Sequence, residues 1–95
     1  MDIEKSKIVE RNISDHLLIS YLTLIGFKQY GFPTLVDTFV QFRYESTPEL
    51  EDAIEKFYLR QTSVDALTIL EEYRTVKAWA YEIKKIRRGG GVYGN

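Results

Sequence analysis

Ala66, Ile69, Tyr73, Val76, Ala80 and Ile83 recur at alternating steps of three and four, the spacing of a coiled-coil seam. No other run constrains the fold as much. A helix over 64–87 extends on the order of 35 Å at ~1.5 Å per residue, yet the chain has only 95 residues. One small domain buries roughly 60–65% of its unfolded surface, so this helix is expected to project. The seam then predicts a homo-oligomer or a host-protein partner, met through Ile69, Tyr73, Val76, Trp79, Ala80 and Ile83. Trp79 and Tyr81 are the natural anchors, since Trp and Tyr dominate interface energies.

The segments before it read as a small sheet with two shorter helices. Leu17, Leu18, Tyr21, Leu22, Leu24 and Ile25 follow at helical spacing, with Ser14 as cap and Gly26 as stop, which predicts a helix at about 15–25. After Gly26 the period falls to two. Val36, Thr38, Val40, Phe42 and Tyr44 share one face of a strand over 35–45, while Phe39 breaks the alternation. The run 27–31 is its expected antiparallel partner, with a possible third strand at 7–11. Ser46-Thr47-Pro48-Glu49 announces a helix at 48–60, either through a capping box or through Thr47 ahead of Pro48. Ser63 or Thr62 would cap the last helix. The fold class is α+β: one domain over 1–88, then a flexible glycine-rich tail over 89–95.

Composition narrows function mainly by exclusion. Thirteen basic and fourteen acidic residues give a net charge of -1, so no global field draws the chain to nucleic acid or membrane. The chain contains no cysteine and one histidine, which leaves neither a disulfide scaffold nor a zinc site. No apolar run reaches the ~20 residues of a spanning helix, and the charged start MDIEKSKIVE is unlike a signal peptide. An intracellular, cytoplasmic protein without cofactor or metal is expected, in the host cytoplasm if it is viral.

Catalysis finds little material. His16 reads as a first-turn surface residue, and its neighbours Ser14 and Asp15 point in different directions from it. Glu82-Ile83-Lys84 matches a nuclease fragment but lies in a helical run. Glu45, Glu49, Glu51, Asp52 and Glu55 read as a solvated face near a helix start. A non-enzymatic binding protein is the expectation.

Two features suggest what it binds. Lys84, Lys85, Arg87 and Arg88 follow the last acid, Glu82, leaving nine basic against fourteen acidic residues before them, a balance of -5. Ahead of three glycines and Tyr93, such a cluster can grip phosphates while the tyrosine stacks on a base of DNA or RNA. Cations at a helix C-terminus also complement the macrodipole with no ligand at all. The second feature is Phe39-Val40-Gln41-Phe42, which resembles the latter half of the RNA-recognition consensus and gives Phe39 the stacking position. Arg43 flanks it, and Lys28 adds charge to the same candidate surface. The residues 35–38 depart from that consensus, and a long helix replaces its last strand, so the favoured reading covers Phe39 with another element or subunit.

From Asp15 to Tyr81 the chain resembles a small uncharacterised domain of bacteria and their phages. Asp15, Leu18, Tyr21, Leu22, Gly26, Phe27, Phe39, Phe42, Phe57, Tyr58, Val64, Asp65 and Lys77 carry the resemblance. It implies an α+β fold and a viral or mobile-element setting, and it brings no activity, cofactor or catalytic residue.

Overall fold

The computed structural model describes residues 8–89, with side chains through Arg87. Strand β1 (Glu10–Ile13) leads into helix α1 (His16–Leu24). Strands β2 (Thr34–Val36) and β3 (Phe39–Glu45) follow, then helices α2 (Pro48–Tyr58) and α3 (Ala66–Gly89). The sheet is antiparallel in the order β1-β3-β2. The fold is therefore α+β with three helices, the last 24 residues long. Among the described residues no helix is long and apolar enough to cross a membrane.

The core lies between the inner sheet face and the helices. Alternation along β3 buries Val40, Phe42 and Tyr44 on that face. Five consecutive residues of α1, Leu18 to Leu22, are buried, while Leu17 and Thr23 on either side are exposed, so the middle of this helix is enclosed and its ends are not. Its one polar member, Ser20, satisfies its hydroxyl by donating to the His16 carbonyl at 2.7 Å. Leu50, Ala53 and Ile54 come from α2, and Val76, Ala80 and Ile83 from α3. Phe42 meets Trp79 edge-on with ring centroids 5.1 Å apart, an arrangement worth about 0.5–1.5 kcal/mol beyond burial.

Several boundaries differ from the sequence expectations, each for a local reason. No strand forms over 27–31. Gly31 takes a positive φ of 74°, and a Cβ there would stand 2.9 Å from the Arg43 guanidinium. The expected strand over 35–45 is instead a hairpin folded at Asp37-Thr38. Asp37 adopts φ 56°, a conformation that Asp tolerates better than most side chains. Val36 therefore pairs with Phe39 on the outer face, and the expected face with Val36 and Thr38 does not exist. The expected strand at 7–11 is found at 10–13, and Lys7 lies outside the described residues.

Caps shift likewise. Asp15 rather than Ser14 caps α1, accepting from the Leu17 and Leu18 amides. Thr47, ahead of Pro48, caps α2, while Ser46 donates to Glu51 at 2.8 Å. Asp65, not Ser63 or Thr62, opens α3 by accepting from the Thr68 amide and hydroxyl at 2.9 and 2.8 Å. Gly26 ends α1 as expected, with Phe27 N–H reaching the Leu22 carbonyl and Gly26 N–H reaching that of Thr23. Arg60, at φ 61°, does the same for α2. The tail over 90–95 lies outside the described residues.

Candidate functional site

Register builds the site. Ile13 pairs with Phe42, so the chain leaving β1 runs beside the first residues of β3. The start of α1 thereby comes next to the β2–β3 turn, and α3 packs along α1. These segments enclose an open cleft of about 380 Å³, lined by Ser14, Asp15, His16, Leu17, Thr38, Phe39, Val40, Tyr73 and Lys84. That volume lies within the range of small-ligand sites.

The cleft is cationic on its α3 side. Burial holds His16 below the usual imidazole range, the nearby charges of Lys77 and Lys84 push it the same way, and Asp15 opposes them. Its ring lies 6.5 Å from that of Tyr73. The Asp15 carboxylate is already committed: one oxygen serves the Leu17 and Leu18 amides, and the other accepts from the Tyr58 hydroxyl at 2.9 Å. With both oxygens so engaged, no hydrogen bond among the described residues links Ser14, Asp15 and His16 into a proton relay. The arrangement suits holding an anion near Lys84, Ser14 and Thr38, with an aromatic surface beside it.

That surface is Phe39, 62% exposed. Among the described residues no element covers it, because the Asp37-Thr38 turn sets β2 alongside rather than over it; of the two expected covers, another element or another subunit, the first is not found there. Lys84 and Phe39 stand out in the sequence for separate reasons, one for charge and one for a stacking motif, and they border the same cleft.

The other candidates separate. Arg43 pairs with Glu10, donates to the Phe32 carbonyl and stands over the Tyr30 ring. Arg87 donates to the Pro33 carbonyl at 2.8 Å with its guanidinium 5.1 Å from the Phe32 ring centre. Both ties hold one part of this chain to another. Lys85 stands over Tyr81, away from the cleft. Lys28 is exposed. The Arg88 side chain and Tyr93 lie outside the described residues.

The interface residues also separate. Val76, Ala80 and Ile83 are buried in the chain's own core, and Ile69 packs against it. The seam thus faces inward, because α1 occupies the side that a partner would need. Trp79 stays partly exposed beside Phe42, and Tyr73 turns to the cleft.

The sequence expectations give no binding role to Lys77, Ser14 or Thr38, and they place His16 on the surface, where it is in fact half-buried. The spacing of Tyr73, Lys77 and Lys84 by four and seven residues was a usable signal, since it puts all three on one side of a helix. Known protein families, curated proteins and solved structures offered no match to the chain. Of the residues on which the expected resemblance rests, Leu18, Tyr21, Leu22 and Phe42 fill the core, and Asp15 and Asp65 cap helices.

Proposed function

We propose that the chain is a non-enzymatic binding protein that takes single-stranded nucleic acid into this cleft. One phosphate sits at Lys84, within the field of Lys77, and a base stacks on Phe39. The observation that carries the reading is the meeting of Lys84 and Phe39 at one cleft. Among the described residues, Lys84 pairs with no acid, which keeps its charge available. Single strands are favoured over duplex because stacking needs an unpaired base, and every base offers a π-face. The viral or mobile-element setting is inferred from the resemblance of residues 15–81 alone.

The test is fluorescence anisotropy with labelled single-stranded DNA and RNA at two salt concentrations. Binding that weakens with salt and is lost in the double variant Lys84→Ala, Phe39→Ala supports the reading. Binding unchanged in that variant, or no binding to either polymer, overturns it.

A further inference from the structure

With the apolar seam turned inward, the outer face of α3 carries a different pattern. Leu67, Glu71, Arg74, Ala78, Tyr81 and Lys85 are all exposed, and at 3.6 residues per turn they share one side of the helix. Leu67 is 71% exposed and Tyr81 62%, about 21 Å apart along the axis at ~1.5 Å per residue, so this face is mainly polar with apolar residues set between its charges.

The charges on this face are self-complementary. Glu71 and Lys85 lie equally far along the chain on either side of Ala78, and so do Arg74 and Glu82. A two-fold axis through Ala78, perpendicular to the helix, opposes each residue with its mirror position on an antiparallel copy. Glu71 then meets Lys85 of the partner subunit, twice per dimer, and Arg74 lies beside the partner's Tyr81 and the partner's Glu82. The methyl of Ala78 lets the two backbones approach closely at the crossing. Among the described residues, Glu71, Arg74 and Lys85 make no ion pair within their own chain.

We propose that the chain forms an antiparallel homodimer through this outer face of α3, with its two-fold axis at Ala78. Lys84 and Tyr73 lie on another side of the helix, so the cleft stays open in the dimer.

Two experiments test it. In sedimentation equilibrium, the native chain is expected to dimerise, and Lys85→Glu to weaken the dimer about tenfold or more by setting like charges together. Glu71→Lys combined with Lys85→Glu is expected to restore it, which a misfolded variant would not do. Since the chain has no cysteine, Ala78→Cys supplies a lone thiol. Under mild oxidation it should cross-link to its copy, whereas Leu67→Cys should not, its two copies being on the order of 30 Å apart at ~1.5 Å rise per residue. A monomer at about 100 µM, a dimer indifferent to Lys85→Glu, or cross-linking of Ala78→Cys no faster than Leu67→Cys overturns the proposal.

Discussion

The Tyr58 hydroxyl donates to the Asp15 carboxylate across 2.9 Å, tying the end of α2 to the start of α1. The same carboxylate caps α1, so a single side chain orders one wall of the cleft and anchors a neighbouring helix. Burial, followed by the hydrogen bond to Asp15 and its charge, holds the Tyr58 phenol above its usual range. Asp15→Ala is expected to cost about 1–2 kcal/mol through the lost cap, and Tyr58→Phe about 0.5–1.5 kcal/mol. Because they share one bond, the double variant should cost less than the two combined, as urea denaturation of all four proteins would reveal.

Gly31 and Gly26 offer a contrast in why glycine is needed. Both have positive φ, but only at Gly31 does an added Cβ meet another group, the Arg43 guanidinium. Gly26→Ala should cost about 1 kcal/mol from backbone strain alone. Gly31→Ala should cost more, because Arg43 must also release Glu10. In an Arg43→Ala background the two glycine substitutions should become nearly equal in thermal melts.

Burial pushes the Tyr44 phenol up to about 12. Its hydroxyl is enclosed without a hydrogen-bond partner among the described residues, near Gln29 and Thr23. The raised value means the folded state resists deprotonation. The associated stability is fully present below pH 10 and is lost as pH climbs through about 12. Tyr44→Phe is expected to be neutral or stabilising by up to about 1 kcal/mol at pH 7. Its denaturation midpoint should also fall less than that of the native chain above pH 10.

His16 reports on the cleft. Its depressed value places its contribution to stability above pH 6.5, and that contribution disappears as pH falls through the folded value. Proton NMR should find the imidazole titrating below the ordinary range. Lys84→Gln or Lys77→Gln should bring it upward, while a change at Asp15 should send it further down. A bound oligonucleotide should raise it, since phosphate offsets the lysines. A His16 titration curve unaltered by saturating oligonucleotide would place the ligand elsewhere.

Lys84 and Phe39 are separable by salt. Lys84→Ala should weaken binding and reduce the salt slope by about one. Phe39→Ala should cost about 1–3 kcal/mol with little change in slope. Arg87→Ala, which frees the Pro33 carbonyl, should lower the melting temperature and leave affinity nearly untouched.

Element types were legible wherever one local signal dominated. The helix stop at Gly26, proline at the first position of α2 and the three-four spacing of α3 all correspond to observed elements. The hairpin turn was not legible. Asp37-Thr38 lacks the glycine that marks most two-residue turns, and the face of Val36, Thr38, Val40 and Phe42 keeps its period through it, with Phe39 alone out of step. The direction of the α3 seam was equally hidden, because spacing identifies a stripe but not what lies against it. Packing against the buried middle of α1 decided that, a tertiary fact with no counterpart in the period of α3. The cleft was half visible: Lys84 and Phe39 stood out separately, while their convergence depends on the Ile13–Phe42 register.

The cleft is assembled from three stretches distant along the chain, 14–17, 38–40 and α3. It has no existence in a partly unraveled molecule, so detaching α3 alone abolishes it. Occupancy and melting are thereby linked: a ligand present at a hundred times its dissociation constant adds about 2.7 kcal/mol to the free energy of unfolding. A thermal-shift screen of oligonucleotides can therefore find the preferred ligand without a label.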